Sequence, residues 1–122
     1  MKILILDDDM ATLTAVKANL EQLEYECKTT TNDKLALTLL PEFDVLITDY
    51  QLGSVNGRQV VKNFKSIKPE IEIIMISGYS IDSILEKDSE FRELLFAFHP
   101  KPISYMNLSE DLEKIKRKLN LN

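Results

Sequence analysis

The sequence predicts an α/β fold, a doubly wound parallel sheet with helices on both of its faces. Two observations support this prediction. Short strand-like segments alternate with segments of helical length along the chain, which is typical of parallel α/β sheets. Three of the strand-like segments are nearly continuous apolar runs, as expected of strands covered on both faces. With 122 residues and no linker or low-complexity stretch, residues 1–122 are expected to form one domain with a single core.

Five segments have strand character. The first, 2–6, is followed by a weaker segment at 25–29, and stronger ones lie at 43–48, 71–76 and 95–99. Each is four to eight residues long and rich in branched or aromatic side chains, the usual signature of a short strand.

Five helices are expected between and after these strands. Apolar residues recur at steps of three and four in four segments, which predicts amphipathic helices; these segments are 10–24, 33–40, 57–66 and 106–120. Pro41 ends the second of them. The remaining helix, the fourth in chain order, is expected within residues 81–95, before the last strand.

Composition and charge exclude several classes of protein. A formal net charge of -5 and a pI near 4.9 argue against direct contact with nucleic acid or an anionic membrane surface. No segment approaches the roughly 20 apolar residues of a membrane span, and the N-terminus lacks a signal-peptide core. The single cysteine, Cys27, cannot form an internal disulfide and fits a reducing compartment. We therefore expect a cytoplasmic protein.

Carboxylates end two of the predicted strands. Asp7, Asp8 and Asp9 follow the first strand, and Asp49 follows the strand at 43–48. At ~4 Å and an effective dielectric constant of ~20, each like-charge pair costs about 4 kcal/mol. A cluster of this kind requires a cation or a fixed basic side chain, and it indicates a metal and phosphate chemistry.

The ends of the last two strands supply the remaining polar groups. In an open α/β sheet the working site lies beyond the C-terminal ends of the strands, where the strand order reverses. Ser77 follows the fourth strand and Lys101 the fifth. Oxygen ligands of this type suit Mg²⁺, and Lys101 can balance the carboxylates. A carboxylate beside Mg²⁺ and lysine can act as a nucleophile towards a phosphoryl group, forming an aspartyl phosphate.

These residues resemble the motif of the receiver domains of bacterial-type response regulators. The resemblance extends over the whole chain. The match consists of an acidic pair, a phosphoacceptor, a glycine eight residues beyond it, a hydroxyl residue and a Lys-Pro pair, which fall on Asp7 and Asp8, Asp49, Gly57, Ser77 and Lys101-Pro102. The segment Ser77-Gly78-Tyr79-Ser80 also resembles receivers joined to hybrid histidine kinases. The resemblance implies a flavodoxin-like sheet with strand order 2-1-3-4-5 and five helices.

The resemblance also implies a ligand set and a reaction. Asp8, Asp49 and the backbone carbonyl of Gln51 would bind Mg²⁺ directly, and Asp7 would bind it mainly through a metal-bound water. Asp49 would take a phosphoryl group from the phosphohistidine of a histidine kinase or phosphotransfer protein. Lys101 and Ser77 would then bind phosphoryl oxygens.

A switch is implied as well, in which Phe98 moves with Ser77 and alters a protein-interaction surface. That surface would comprise the fourth helix, the fifth strand and the fifth helix, and phosphorylation-dependent dimerisation through it is possible. The output would be contact with a protein partner, or with an output domain absent from this chain. The domain would therefore be a regulator with intrinsic phosphorylation and dephosphorylation chemistry, and not an enzyme.

Several positions depart from the family's usual pattern. Phe98 replaces a commoner tyrosine, and Gly53 stands where proline is frequent. The stretch 81–95 lacks the usual small residues before the last strand, and the interval from Ser77 to Lys101 is about two residues longer than is usual in the family. We therefore expect an irregular fourth helix. The Lys101–Pro102 bond is a candidate cis peptide, which would direct the lysine into the site.

Two alternatives to the phosphoaccepting receiver remain. One is a pseudo-receiver that binds partners without phosphorylation. The other is an Mg²⁺-dependent phosphohydrolase of the haloacid dehalogenase type, with Asp7 as nucleophile and Asp9 as acid/base. Ala11 breaks the pattern of that family, and Asp9 is also a natural helix-start residue. His99 is expected to be a structural histidine.

Overall fold

The computed structural model describes residues 1–53, 55–78 and 82–120, with the backbone alone at residues 55, 82 and 83. Tyr79 and Ser80, part of the segment that resembles hybrid-kinase receivers, lie outside the described residues. Among the described helices, none is both long and apolar enough to cross a membrane.

A five-stranded parallel sheet forms the centre of the molecule. Its spatial order is β2-β1-β3-β6-β7, and the strands are β1 Lys2–Leu6, β2 Glu26–Thr30, β3 Val45–Asp49, β6 Glu72–Ser77 and β7 Ala97–Pro100. Counted within this sheet the order is 2-1-3-4-5, so the predicted topology is confirmed. A small antiparallel pair, β4 Gln51–Leu52 and β5 Val55–Asn56, follows β3 and was not predicted.

The described residues form six α-helices where five were predicted. They are α1 Met10–Gln22, α2 Asp33–Leu39, α3 Gly57–Ile67, α4 Asp82–Lys87, α5 Ser89–Glu93 and α6 Tyr105–Lys118. The predicted fourth helix is divided into α4 and α5 because Asp88 leaves the helical conformation, with φ -127° and ψ 77°. The Asp88 side chain then accepts a hydrogen bond from the Phe91 backbone amide and caps α5. The expected irregularity of this region is thus a break into two short helices.

The two faces of the sheet carry separate apolar clusters. Helices α1 and α6 cover one face through residues such as Leu13, Val16, Leu108 and Leu112. Helix α3 packs on the other face through Val61 and Phe64, beside buried residues of α2, α4 and α5, which are Ala36, Leu85 and Phe91. Strand β3 lies between these layers and is buried at every position, as its continuous apolar run predicts.

Short polar residues start the helices at the C-terminal edge of the sheet. The side chains of Asp9, Asn32, Asn56 and Ser104 each accept a backbone hydrogen bond at the N-terminus of a helix, which satisfies donors that have no partner within the helix. These caps fix where each loop ends. Because the strands are parallel, the described residues that follow β1, β3 and β7 lie at the same edge of the sheet.

Candidate functional site

Three carboxylates converge at the C-terminal ends of β1 and β3. The two strands are neighbours in register, with Leu6 paired to Thr48, so the residues that follow them are adjacent. One carboxylate oxygen from each of Asp7, Asp8 and Asp49 lies within 4.8 Å of the others. Asp7 is fully buried, Asp49 is 6% exposed and Asp8 is exposed to solvent. The sequence placed these three acids together, and the structure agrees.

Lys101 reaches this cluster from the loop after β7. Its Nζ atom lies 2.7 Å from Asp49 Oδ2 and 3.2 Å from Asp7 Oδ2. Its backbone amide donates a hydrogen bond of 2.8 Å to the carbonyl of Ser77 at the end of β6. The Lys101–Pro102 peptide bond is cis, as predicted. Lys101 is thus the counter-ion of the two buried carboxylates.

The ionisable groups of the cluster shift one another's pKa values. Burial raises the pKa of the Asp7 carboxyl above its usual value of 3.8, and the negative charge of Asp49 adds to the effect. The amide of Asp9 and the ammonium of Lys101 oppose this increase. Burial by itself lowers the pKa of Lys101, but hydrogen bonds to Asp49 and Asp7 outweigh it and raise the pKa above 10.5. Lys101 is therefore a fixed positive charge at neutral pH.

One backbone amide holds each carboxylate in place. Asp7 Oδ1 accepts from the amide of Asp9 at 2.9 Å, and Asp49 Oδ1 accepts from the amide of Gln51 at 3.0 Å. Asp8 Oδ2 accepts from the amide of Gly53, also at 3.0 Å. Sequence reasoning missed these donors because a backbone N–H carries no residue-specific signal. It recorded Gly53 only as a departure from a family pattern.

Gly57 has a geometric reason to be glycine. Its amide donates a 3.0 Å hydrogen bond to the carbonyl of Tyr50, the residue directly after Asp49. A Cβ atom at Gly57 would lie only 2.8 Å from Tyr50 Cα and 2.9 Å from its carbonyl carbon. Helix α3 thus begins against the backbone of the Asp49 loop, and only a residue without a side chain allows this approach.

Ser77 lies at the end of β6, where its carbonyl accepts from the Lys101 amide, whereas Phe98 lies in an apolar environment. Ser77 is the last residue of β6, is 1% exposed and is paired with Pro100 of β7. Phe98 is half-buried, lies opposite Met75 and packs against the apolar cluster that also contains Leu85 and Phe91. A cavity of about 350 Å³ borders Phe98 and is lined by residues of α4 and the α5 region, Leu85, Glu86 and Arg92.

Asp9 and His99, two polar residues near the ends of strands, have structural roles. Asp9 is exposed and caps α1, accepting hydrogen bonds from the Ala11 amide at 3.0 Å and the Thr12 hydroxyl at 2.8 Å. The Thr12 hydroxyl and the Ala11 amide lower the pKa of Asp9. The buried His99 has Nε2 2.7 Å from Asp111 Oδ2 on α6. Asp9 and His99 therefore have structural partners away from the cluster.

Two further contacts connect the Asp49 loop and the start of α3 with α5. The rings of Tyr50 and Phe91 are 6.1 Å apart between centroids, and Phe91 is fully buried. Arg58 Nε lies 2.5 Å from Asp88 Oδ2, the residue that caps α5. Neither contact has a sequence signal, since the partners are 41 and 30 residues apart in the chain.

The donor set fits a hard divalent cation. Three carboxylates and one lysine leave a formal charge of about -2 at the cluster, and Mg²⁺ prefers carboxylate and carbonyl oxygen ligands. One of the three carboxylates, that of Asp8, is open to solvent. Solvent access at Asp8 leaves room for the water ligands that Mg²⁺ retains.

Comparison with known proteins identifies the family. The family model for the response regulator receiver domain matches residues 3–112. The chain belongs to the response regulator receiver family. It is 30% identical over 122 residues to the DNA-binding transcriptional regulator NtrC of Azospirillum brasilense, covering 98% of this chain and 24% of that protein. The chain thus spans about a quarter of the length of this curated relative.

Solved structures of receiver domains have the same fold. A response regulator receiver domain protein from Clostridium thermocellum has a TM-score of 0.84 at 25% identity, and the match covers 98% of each chain. A CheY-like receiver domain protein from Methanospirillum hungatei has a TM-score of 0.80 at 28% identity, over 98% of this chain and 93% of that one. This receiver domain is therefore a signalling module of the two-component type.

Proposed function

We propose that this receiver domain accepts a phosphoryl group on Asp49 in an Mg²⁺-dependent reaction and acts as a signalling switch. The observation that carries the proposal is the position of the Asp49 carboxylate. It lies within 4.8 Å of oxygen atoms of Asp7 and Asp8 and 2.7 Å from the ammonium of Lys101. A nearly buried carboxylate with a fixed cation on one side and metal-type ligands on the other is arranged for group transfer.

The proposed metal ligands are Asp8, Asp49 and the backbone carbonyl of Gln51, with Asp7 acting through a bound water. Mg²⁺ at these oxygens would neutralise charge on the transferring phosphoryl group. Asp7 supports this role by its burial and by its hydrogen bonds to the Asp9 amide and Lys101, which fix its orientation. Asp7 thus contributes a negative charge that cannot turn away from the site.

The chemical step belongs to Asp49. A carboxylate oxygen of Asp49 attacks the phosphorus of a phosphohistidine, the P–N bond breaks, and the imidazole leaves with the bonding electron pair. Lys101, which pairs with Asp49 before transfer, then donates to a phosphoryl oxygen, as does the hydroxyl of Ser77. The phosphoryl donor is a histidine kinase or a phosphotransfer protein. Hydrolysis of the aspartyl phosphate returns the domain to its starting state, so it is a regulator and not an enzyme in its own right.

The proposed switch transmits this change through Ser77 and Phe98. Phe98 lies on β7 next to a cavity of about 350 Å³, which gives its ring space to change position. The interaction surface would comprise α4 and α5 together, β7 and α6. Its partner is a downstream protein, an output domain outside this chain or, for a phosphorylation-dependent dimer, a second copy. The relative NtrC is a DNA-binding regulator, but the charge of -5 here argues against direct DNA contact by this domain.

We further propose that residues 1–122 form a single receiver domain that works in the cytoplasm. The two apolar clusters share one sheet and draw on residues from Met1 to Leu119. The cytoplasmic location is supported by the single cysteine, Cys27, which fits a reducing compartment.

A phosphorylation assay tests the proposed function. The protein is incubated with a small acyl or amido phosphate donor and Mg²⁺, and intact-mass and peptide spectra locate the added phosphate. We expect a hydroxylamine-sensitive acyl phosphate on Asp49 that is absent in Asp49→Asn and in the presence of a chelator. The Asp9→Asn variant serves as a control because the Asp9 side chain caps α1, and the substitution keeps the backbone amide that bonds Asp7. Phosphate that persists in Asp49→Asn at another residue would refute the assignment.

The division of the fourth helix into α4 and α5 favours one alternative, a pseudo-receiver that acts as a phosphorylation-independent interaction module. Helices of six and five residues depend on tertiary contacts for their stability, and a surface held in place by such contacts would bind a partner constitutively. Phosphorylation of Asp49 without any change in partner binding or in the amide spectrum of α4 and α5 would favour this alternative.

A further inference from the structure

Asp8 is held differently from the other two acids of the site. Asp7 and Asp49 are buried and both contact Lys101, whereas Asp8 is exposed. Among the described residues the one hydrogen-bond donor to Asp8 is the backbone amide of Gly53, at 3.0 Å from Oδ2. A solvent-exposed carboxylate beside two like charges is repelled from them and can rotate into water. The Gly53 amide opposes that rotation.

The backbone of Gly53 is suited to this contact. Its φ of +62° lies in the left-handed region, which glycine adopts without steric cost. Leu52 pairs with Val55 across β4 and β5, so Gly53 directly follows the first strand of this hairpin, where a positive φ is common. The hairpin thereby directs the Gly53 amide at the carboxylate of Asp8, a proposed metal ligand 45 residues away in the sequence. A proline could neither adopt this φ nor donate this hydrogen bond.

We propose that Gly53 is a positioning residue of the Mg²⁺ site, whose amide holds Asp8 inward beside Asp7 and Asp49. The inference rests on the proposed Mg²⁺-dependent function. Hydrogen bonds to metal-binding side chains orient them before the metal arrives, and their loss typically reduces metal affinity by about 10- to 100-fold. Because this contact is at the surface, we expect a change at the lower end of that range.

The donor can be removed without altering the turn. Replacement of Gly53 by glycolic acid converts its amide into an ester, which removes the N–H and leaves a residue without a side chain. The matched variant is Gly53→Asn, which keeps the N–H and tolerates a positive φ; no atom lies within 4 Å of an added Cβ at this position. Magnesium chloride is titrated against each protein, and binding is followed by the amide shifts of residues 7 and 49.

The expected result is about tenfold weaker Mg²⁺ binding in the ester protein, with Gly53→Asn within about twofold of wild type. Equal affinity in the ester protein and wild type would overturn the role of Gly53 alone. Absence of Mg²⁺ binding in wild type would instead overturn the proposed function, so the two failures are distinguishable. Loss of one exposed hydrogen bond should lower the thermal midpoint of the Mg²⁺-free ester protein only slightly, and a large fall would show a structural role of Gly53 in place of the positioning role.

A second measurement needs no metal. In the Mg²⁺-free protein the Gly53 amide proton should be shifted downfield and protected from exchange by its bond to Asp8. Asp8→Ala should move this proton upfield and speed its exchange, while the Gln51 amide, which bonds Asp49, keeps its shift and protection. An unchanged Gly53 amide in Asp8→Ala would overturn the proposal even if the ester protein failed to fold.

Discussion

Lys101 is the residue on which the charge balance of the site depends. It contacts both buried carboxylates, and those contacts raise its pKa, so it remains protonated throughout the physiological range. A buried carboxylate that loses its counter-ion is costly. Lys101 therefore stabilises the two buried carboxylates in the metal-free protein, and it is also the group proposed to bind the phosphoryl oxygen.

Replacing Lys101 with methionine tests this balance. We expect Lys101→Met to retain Mg²⁺ binding, because removal of a positive charge increases the attraction for the cation. The response to phosphorylation should be lost, since no ammonium remains to bind the phosphoryl oxygen. Calorimetric Mg²⁺ titration and the phosphorylation assay measure the two effects separately. Lys118→Met, which breaks an ion pair with Glu72, should change neither; loss of Mg²⁺ binding in Lys101→Met would contradict the assignment.

Gly57→Ala should destabilise the protein by about 1–3 kcal/mol, the usual cost of inserting a methyl group into a packed site. The added Cβ would lie 2.8 Å from Tyr50 Cα, so the Asp49 loop must shift. Urea titration measures the free energy of unfolding of each variant. Gly78→Ala is the matched control because no atom lies within 4 Å of its Cβ position. Equal stability of the two variants would show that the close approach of α3 to Tyr50 is not rigid.

Cys27 gives a prediction about pH. Burial is the main cause that raises the pKa of the Cys27 thiol from 9.0 to about 11, and Glu21 adds to it. Since thiolate is the reactive form, alkylation at pH 8 should be roughly 100-fold slower in the folded than in the unfolded protein. The neutral thiol favours the fold, so this contribution is present below pH 9 and is lost as the pH rises towards 11. Equal alkylation rates would contradict the prediction.

Among the elements, α5 differs most from the prediction, because it is a separate short helix where one longer fourth helix was expected. Its five residues are far too few for a helix that is stable alone. Asp88 caps it, Arg58 of α3 pairs with Asp88, and Phe91 anchors it in the core beside Tyr50. The helix therefore depends on tertiary contacts, two of which lead back to the start of α3 and to the residue after Asp49.

Two substitutions at Asp88 separate the cap from the ion pair. Asp88→Asn keeps a good N-cap but removes the charge that pairs with Arg58, whereas Asp88→Ala removes both. Thermal midpoints should fall in the order wild type, Asp88→Asn, Asp88→Ala. Because the Arg58 hydrogen bond lowers the pKa of Asp88, the difference between wild type and Asp88→Asn should persist above pH 3.8 and vanish at lower pH. Identical midpoints for both variants would mean that the cap contributes nothing.

At the scale of the whole molecule, strand and helix patterns predicted the sheet and most of the site. The strand-like segments lie within two residues of the observed ends of all five strands, and the apolar signal is strongest for β1, β3 and β6, which are buried at nearly every position. Strand β3 was predicted at 43–48 and is observed at Val45–Asp49. Asp7, Asp8, Asp49 and Lys101 could be placed together because each follows a strand of the same sheet. The strand order came from the family resemblance.

The features that the sequence did not predict have no periodic signal. The pair β4 and β5 contains two residues in each strand, too few for an alternating pattern. The break at Asp88 depends on a capping hydrogen bond and on a distant arginine. The amide of Gly53 acts through the backbone, for which residue identity gives only a conformational preference. Local sequence patterns therefore predicted the sheet, the helices that cover it and the residues at the C-terminal ends of its strands. Tertiary contacts determined the conformation of the loops.

A measurement of the whole switch tests the central claim most directly. Amide spectra of wild type and Asp49→Asn are compared after addition of Mg²⁺ and of beryllofluoride, a mimic of the phosphoryl group. We expect shifts at Asp49, Ser77 and Lys101 that extend through α4, α5 and β7 to Phe98, and we expect none of them in Asp49→Asn. Mg²⁺ shifts at Asp7 and Asp8 without any response to beryllofluoride would contradict it.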